Sequence, residues 1–169
     1  LDNAATTRVD DEVVKEMIPY FSEKFGNASS QHFIGQEAKR ALEDAREVIA
    51  KSIGANREEI IFTSSGTESN NLALKGLFFA NGIASSNSKE FEGPKRNHII
   101  TTKIEHDCIL NTCKWLESLG AKISYLDVDK EGFIELEQLK KLITNETLVV
   151  SVIHGNNEIG TIQDLVEIG

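Results

Sequence analysis

The stretch Phe62-Thr63-Ser64-Ser65-Gly66-Thr67-Glu68-Ser69-Asn70-Asn71 decides the fold of this chain. The apolar run Ile60-Ile61-Phe62 leads into it and predicts a buried strand, and the apolar positions between Leu72 and Phe78 predict a helix after it. Because the first backbone N–H groups of a helix have no partner within the helix, a tight turn between a strand and a helix forms an anion-binding cup.

The side chains of this turn add hydrogen-bond donors to the cup. Ser64, Ser65 and Thr67 carry hydroxyl groups, and the helix dipole favours a negative ligand, so the turn predicts a site for a phosphate-bearing cofactor. The competing interpretation is an ordinary Ser/Thr N-cap that binds nothing beyond its own helix. The spacing matches neither a Walker A sequence nor Gly-x-Gly-x-x-Gly, which argues against a nucleotide-binding loop.

The composition is that of a globular domain, or of part of one. The chain has 169 residues, of which 40% are hydrophobic and 27% charged, and its formal net charge is −9. Such an acidic surface argues against nucleic acid or an anionic membrane as the main partner. No apolar run approaches the length of a membrane span and no signal peptide is visible, but Leu1 is not an initiator methionine, so we expect residues upstream of it.

The two cysteines, Cys108 and Cys113, lie on one predicted helix. A disulfide within a helix is geometrically unfavourable, so we expect two reduced thiols. Neither has a clear activating cation nearby, and we interpret both as small hydrophobic residues of a helix face rather than as nucleophiles. No set of metal ligands is predicted.

The rest of the chain predicts an α/β fold. Two N-terminal helices are expected, one over Val9–Phe25 and one that follows an N-cap at Ser29 or Ser30 and ends at Gly54. A polar segment at 82–97 predicts a surface loop. Short apolar strands then alternate with amphipathic helices, which is typical of a mostly parallel sheet flanked by helices. The strands are predicted at 98–102, 121–126 and 148–153, and the helices at 109–119, 134–143 and 163–168.

Two further polar clusters follow predicted strands. Glu105-His106-Asp107 comes after the strand at 98–102, and His154 with Asn156-Asn157-Glu158 comes after the strand at 148–153. Because ligands in parallel sheets bind beyond the carboxyl ends of the strands, we expect these clusters and the cup to lie together at one edge.

The histidines and asparagines of these clusters are the candidate functional residues. His106 is a candidate general acid/base or a ring that stacks on a flat cofactor; the competing interpretation is a surface histidine in a capping segment, with Asp107 as the cap. Asn156–Gly160 is either a simple polar turn or the polar rim of a ligand site, where an Asn amide donates to a phenolate oxygen. We expect His32 and His98 to be structural or surface residues.

Five motifs follow one another along the chain: Leu1–Thr7, Gly26–His32, Phe62–Ala73, Glu105-His106 and Asn156–Gln163. Together they resemble the motifs of pyridoxal-phosphate-dependent cysteine desulfurases of the NifS/IscS type, in the class V aminotransferase family. The resemblance runs over the whole chain in order, and Ala28 departs from it, because the family has proline there.

The resemblance implies the large domain of a fold-type I pyridoxal-phosphate-dependent transferase, incomplete in this chain. Residues 1–30 would be the N-terminal segment of the small-domain or dimer-contact region, and residues 31–169 the first part of the cofactor-binding large domain. The family is more than twice this length, and its Schiff-base lysine and catalytic cysteine would lie beyond residue 169. We therefore expect this stretch alone to be inactive.

The resemblance also implies site residues and a cofactor, pyridoxal 5'-phosphate. Gly66 and Thr67 would bind the cofactor phosphate. His106 would stack on the pyridine ring and help to move protons, and Asn157 would contact the phenolic oxygen of the ring.

The implied reaction converts L-cysteine to L-alanine and transfers sulfur to an enzyme cysteine as a persulfide, for iron–sulfur cluster assembly and tRNA thiolation. The implied partners are L-cysteine, a sulfur-acceptor or iron–sulfur scaffold protein and a second copy in a homodimer, in the cytoplasm or the mitochondrial matrix. Two alternatives stay open from the sequence: a selenocysteine lyase, or a catalytically inactive truncated fragment or paralogue that acts as a binding partner.

Overall fold

The computed structural model describes residues 2–81 and 96–169. They form two compact units: a helical unit, Thr6–Phe62, and a sheet unit, Leu1–Ala5 with Thr63–Gly169. No helix in the described ranges is both long enough and apolar enough to cross a membrane. The loop predicted at 82–97 lies outside the described residues as far as position 95.

The first predicted helix of the helical unit is two shorter helices. Helix α1 is Asp11–Met17 and helix α2 is Pro19–Ser22. A single helix over Val9–Phe25 is therefore wrong. Proline has no N–H to donate, so the helical hydrogen bond from position 19 to the Lys15 carbonyl is missing, and Pro19 begins a new turn as its first residue.

The long helix α3 is Phe33–Ser52. Its predicted N-cap at Ser29 or Ser30 is wrong, because His32 takes that position and its Nδ1 accepts a hydrogen bond from the Gly35 amide at 3.3 Å. Its predicted end is confirmed, since Gly54 follows the last turn with a φ of +69°, the left-handed conformation that glycine favours there.

The strand predicted at Ile60-Ile61-Phe62 does not form. Within the described residues no strand pairs with this segment, and Ile61 and Phe62 are 69% and 42% exposed. An extended segment becomes a strand only when a neighbour takes up its backbone hydrogen bonds. Here a one-turn helix at Arg57–Glu59 precedes the segment, and Arg46 contacts it by donating to the Ile60 carbonyl and stacking over the Phe62 ring at 4.8 Å.

The sheet unit confirms the alternation of strands and helices beyond the cup. The three strands found among its described residues are all parallel, in the order β2-β1-β3, and β1 is central and buried along its whole length. The elements are α4 (Gly66–Ala80), β1 (His98–Thr102), α5 (Asp107–Ser118), β2 (Lys122–Leu126), α6 (Leu136–Leu142), β3 (Thr147–Ser151) and α7 (Leu165–Ile168).

Both faces of this sheet are covered, as the sequence predicts. Ile99 and Ile100 are neighbours on β1, so their side chains point to opposite faces. Ile99 packs with residues of α4 and α5, including Phe78 and Leu116, and Ile100 packs with Leu139 of α6 on the other face. The predicted mostly parallel α/β fold is therefore confirmed for the described part of the chain.

Two of the histidines have structural roles, as predicted. His98 is buried at the start of β1, where its ring nitrogens hydrogen-bond the hydroxyls of Ser124 and Thr147 at 2.8 and 3.2 Å. His32 is the N-cap of α3. His98 lies at the opposite end of β1 from the carboxyl edge of the sheet, whereas His106 and His154 follow the carboxyl ends of β1 and β3.

Candidate functional site at the carboxyl edge of the sheet

The loops that follow β1 and β3 meet around a cavity of about 460 Å³ at the carboxyl edge of the sheet. The cavity brings together Glu105-His106-Asp107 and Asn156-Asn157-Glu158, as the sequence predicts, and the N-terminal Asp2 joins them. Among the described residues, His154 and the turn before α4 do not line it. The lining residues are Asp2, Lys103–Asp107 and Asn156–Ile159. The cavity lies wholly within the sheet unit.

Glu105 is buried beneath this cavity, with 8% of its surface exposed. Its Oε1 accepts two hydrogen bonds, from the Thr102 hydroxyl at 3.0 Å and from the Ile153 amide at 2.6 Å. Burial raises the pKa of this carboxyl above its ordinary value, and the two hydrogen bonds oppose that rise. The sequence placed Glu105 beside the candidate histidine without indicating that it connects two loops.

Asn156 is buried in the loop after β3. Its Nδ2 donates to the Ile104 carbonyl at 2.9 Å, and its Oδ1 accepts from the Glu158 and Ile159 amides at 2.9 and 3.1 Å. The side chain thereby shapes its own turn and ties it to the loop after β1. The open interpretation of this segment as a simple polar turn is correct for Asn156.

Asn157, the next residue, faces the N-terminal segment. Its Nδ2 donates to Asp2 Oδ2 at 2.7 Å, while Asp2 Oδ1 accepts from the Ala4 and Ala5 amides at 3.0 Å each. The Asn157 hydrogen bond is the main reason that the pKa of Asp2 lies below its ordinary value. Because an amide nitrogen carries two hydrogens, one donor of Asn157 remains for a ligand. Asp2 lies in the Leu1–Thr7 motif, but nothing in that motif indicates that its carboxylate reaches Asn157.

His106 is exposed at the start of α5 and is itself the N-cap of that helix. Its Nδ1 accepts a hydrogen bond from the Cys108 amide at 3.1 Å. The predicted capping role of Asp107 is therefore wrong, since a ring nitrogen occupies the position of the usual Asp or Ser oxygen. With Nδ1 as an acceptor, the neutral ring carries its proton on Nε2, which stays available for proton exchange.

The turn before α4 has the geometry of a capped helix with free amides. Ser65 Oγ accepts from the Glu68 amide at 3.2 Å, and Glu68 Oε2 accepts from the amide and hydroxyl of Ser64 at 2.7 and 2.6 Å. These bonds lower the pKa of Glu68. The expectation that the Ser64 hydroxyl is free for a ligand is wrong, because the capping glutamate takes it up.

Gly66 and Thr67 begin α4, and their amides have no acceptor among the residues that the structure describes. Apart from its chain neighbours and the backbone of its own helix, no heavy atom of the described residues lies within 4 Å of a Cβ built on Gly66, so open space adjoins this end of the helix. A helix of this length with free first-turn amides favours an anion at its N-terminus.

Helices α4 and α5 run parallel and start at the same edge. Asn70 Nδ2 donates to Cys108 Sγ at 3.2 Å in the first turns, and further along Lys75 Nζ lies 4.6 Å from the centre of the Trp115 ring. The contacts therefore advance in the same direction along both helices. Because α5 starts directly after the carboxyl end of β1, the free amides of α4 and the cap residue His106 share that edge.

The two thiols behave as predicted, as packed residues of α5. Both are free, Cys113 is buried and Cys108 half-buried. Burial, together with the nearby Glu105 and Glu117 charges, raises the pKa of Cys113 to about 11. A buried thiol with a raised pKa is a poor nucleophile at neutral pH, so neither geometry nor charge supports a catalytic role for Cys113.

The side chains around the cavity carry mostly negative charge. Asp2, Glu105, Asp107 and Glu158 line it, and the single lysine of the lining, Lys103, forms an ion pair with Asp127 at 2.6 Å. Among the residues that the structure describes, backbone amides rather than cationic side chains are therefore the main groups at this edge that attract an anionic ligand.

Comparison with known proteins identifies relatives over the whole chain. The aminotransferase class-V family model matches residues 1–169. The cysteine desulfurase IscS of Dictyoglomus turgidum is 50% identical over 168 residues, a match that covers 99% of this chain and 40% of the relative.

Two solved structures are similar to this one. A NifS-like protein superimposes with a TM-score of 0.89 and 43% identity, over 99% of this chain and 43% of that protein. A protein named SspA, solved in complex with cysteine, superimposes with a TM-score of 0.86 and 40% identity, over 99% of this chain and 45% of that protein. This chain thus spans about two fifths of the length of the proteins that it matches.

Proposed function

We propose that this chain, which belongs to the aminotransferase class-V family, is part of a cysteine desulfurase that converts L-cysteine to L-alanine. The observation that carries the proposal is that His106 and Asn157 line one cavity at the carboxyl edge of the sheet, the edge at which α4 starts with the free amides of Gly66 and Thr67. The cysteine desulfurase among its relatives and the cysteine complex of SspA support the choice of substrate.

The residues at this edge fit pyridoxal 5'-phosphate as the cofactor. The Gly66 and Thr67 amides would bind the phosphate, because they have no acceptor among the described residues and open space adjoins Gly66. Asn157 would donate its remaining amide hydrogen to the phenolic oxygen, and His106 would lie against the ring. When bound, pyridoxal phosphate supplies an electron-withdrawing ring that stabilises negative charge on the substrate carbon atoms.

In the proposed reaction the C–S bond of L-cysteine breaks and an S–S bond forms. A cysteine thiolate of the enzyme attacks the substrate sulfur and becomes a persulfide, the electron pair of the C–S bond stays on carbon, and that carbon takes up a proton to give L-alanine. His106 would move protons at Nε2, since its Nδ1 is engaged by the Cys108 amide. Cys113 is unsuited to be the attacking thiolate, because it is buried and its pKa is about 11.

Several finer points belong to the same proposal. Residues 1–30 would form part of a small-domain or dimer-contact region, and residues 31–169 part of the cofactor-binding large domain. The protein would act as a homodimer in the cytoplasm or the mitochondrial matrix. It would pass sulfur to an acceptor or scaffold protein for iron–sulfur cluster assembly and tRNA thiolation.

The experiment uses the complete protein that carries this chain. Purified protein is titrated with pyridoxal phosphate, the bound cofactor is followed by its visible absorption, and alanine is measured after addition of L-cysteine. Thr67→Val removes a side-chain donor at the proposed phosphate site, and we expect its affinity for the cofactor to fall roughly tenfold. Ser64→Ala is the matched control, because the Ser64 hydroxyl already donates to Glu68; it should weaken the helix cap and leave cofactor affinity unchanged.

Three results would count against the proposal. Equal affinity losses for Thr67→Val and Ser64→Ala would mean that the start of α4 is only a capped helix. Alanine formation from L-selenocysteine but not from L-cysteine would favour a selenocysteine lyase. Protein that binds pyridoxal phosphate but releases no alanine from either substrate would favour a binding partner without catalysis.

A further inference from the structure

Two buried side chains connect the loops after β1 and β3 in opposite directions. Glu105, from the first loop, accepts the Ile153 amide at 2.6 Å. Asn156, from the second loop, donates to the Ile104 carbonyl at 2.9 Å. Each is 8% exposed, so neither contact competes with bulk water. We call this pair of contacts the loop clamp.

The loop clamp stands directly beside the two candidate ligand-contacting residues. Glu105 precedes His106, and Asn156 precedes Asn157. We propose that Glu105 and Asn156 are positioning residues that fix the spacing between His106 and Asn157 at the site edge. This inference rests on the proposed function, since the spacing of His106 and Asn157 affects activity only if both contact the same bound ligand.

The contacts of Glu105 separate a positioning role from a charge role. Both of its hydrogen bonds, from Thr102 and from Ile153, end on the same oxygen, Oε1. A glutamine at this position presents a carbonyl oxygen in the same place and can accept both, whereas an alanine can accept neither. We therefore expect Glu105→Gln to keep both contacts and a normal kcat, and Glu105→Ala to lose both contacts and to have a lower kcat.

Asn156 gives an independent test of the second contact. Asn156→Asp keeps the oxygen that accepts from the Glu158 and Ile159 amides, but it removes the donor to the Ile104 carbonyl. It should change the spacing between His106 and Asn157 while the turn after β3 stays formed. We expect its kcat to fall by less than that of Glu105→Ala.

The test uses the complete protein with pyridoxal phosphate and L-cysteine, and it has two readouts. The first is the split between kcat and KM for alanine formation, and the second is hydrogen exchange at the Ile153 amide in the cofactor-free protein. For Glu105→Ala we expect kcat to fall roughly 10- to 100-fold, as misplacement of a catalytic group does, with KM little changed. We expect Ile153 exchange to accelerate about tenfold or more. Glu105→Gln should restore both.

His98→Ala is the control for lost stability. His98 is as buried as Glu105 and also makes two side-chain hydrogen bonds, but it lies at the opposite end of β1. It should lower the melting temperature while kcat stays unchanged, and it shows how much exchange at Ile153 comes from general destabilisation.

The outcomes separate the clamp from the proposed function. Equal loss of kcat in Glu105→Gln and Glu105→Ala overturns positioning in favour of a required charge, and a normal kcat in Glu105→Ala overturns it outright. If the wild-type protein forms no alanine, the proposed function fails and the exchange readout alone decides. In that case, faster Ile153 exchange in Glu105→Ala but not in His98→Ala supports the clamp, and equal exchange overturns it.

Discussion

The sheet unit and the helical unit differ in what their amphipathic patterns bury. In the sheet unit, Phe78, Ile99 and Ile100 are completely buried. In the helical unit, α1 and α2 bury no residue, and α3 buries only Gly35 and Ala50. The comparison teaches that hydrophobic periodicity predicts the helix itself, whereas burial depends on which other elements lie nearby to cover the apolar face.

The cavities of the two units differ in the same way. The cavity of the sheet unit, about 460 Å³, is lined by charged and amide side chains at the ends of strands. A cavity of about 500 Å³ in the helical unit is lined mainly by alanines and aromatic rings, among them Ala41, Tyr20 and Phe25. Of these two cavities, the one in the sheet unit therefore carries more of the groups that can exchange protons or bind a charged ligand.

The substitution His106→Ala tests whether the chemistry resides in the sheet unit, and it has the largest expected effect. We expect pyridoxal phosphate to stay bound while alanine formation falls roughly 10²- to 10⁴-fold, because a general acid/base is lost. The loss of the α5 cap should also lower the free energy of unfolding by about 1 kcal/mol. Steady-state kinetics and urea denaturation measure the two effects.

His106→Asn is the matched control for the cap. An asparagine oxygen can accept the Cys108 amide in place of His106 Nδ1, so this variant should recover the stability but not the turnover. Normal turnover in either variant would contradict the role that we give to His106.

A pair of phenylalanine substitutions compares burial in the two units directly. Phe78 is fully buried in the sheet unit, and Phe21 is 77% exposed in the helical unit. We expect Phe78→Ala to lower the free energy of unfolding by about 3–5 kcal/mol. At protein concentrations at which the proposed dimer dissociates, we expect Phe21→Ala to change it by less than about 0.5 kcal/mol.

Urea denaturation of the complete protein at several concentrations is the measurement for this pair. Comparable losses for Phe21→Ala and Phe78→Ala would break the contrast between the units. They would mean that the apolar face of α2 is covered in solution, and a concentration-dependent midpoint would identify the cover as a second copy.

The pH dependence of stability gives the smallest expected effect. Burial raises the pKa of Glu105 above its ordinary value of 4.5, so the folded protein binds this proton more tightly than the unfolded chain does. The contribution of Glu105 to stability is then greatest at low pH and is lost as the pH rises through the interval between the unfolded and folded pKa values.

Glu105→Gln should remove this slope. We expect the free energy of unfolding of the variant, relative to wild type, to increase as the pH rises above 4.5. This increase should be smaller than the loss of unfolding free energy expected for Phe78→Ala. Glu37→Gln, at an exposed position of α3, provides the baseline. If the free energies of unfolding of wild type and Glu105→Gln differ by a constant amount across this pH range, burial does not raise the pKa of Glu105.

The sequence predicted the sheet well because each strand there carries its own signal. The run that becomes β1 has four β-branched residues in a row, Ile99–Thr102, and Gly120 closes α5 where predicted. The prediction of a strand at Ile60–Phe62 was wrong because an apolar run does not indicate whether a second strand lies beside it to take up its hydrogen bonds. The break at Pro19 was predictable from its missing N–H, although the apolar spacing around it continues.

The candidate site was predictable in part, for a related reason. His106 and Asn157 stand out because they follow strands whose ends must converge. The roles of Asp2, Glu105 and Asn156 were not predictable, because each depends on a contact with a residue distant in sequence. Asp2 reaches Asn157, and Glu105 reaches Ile153.

The free amides at the start of α4 have a consequence for how this site tolerates mutation. They belong to the main chain, and every residue type except proline supplies the same N–H at position 67. Drift of surface charge, or chemical modification of lysines, leaves these two donors untouched. An acidic protein can thus vary its exterior widely over evolution and still keep a cradle for a negatively charged group.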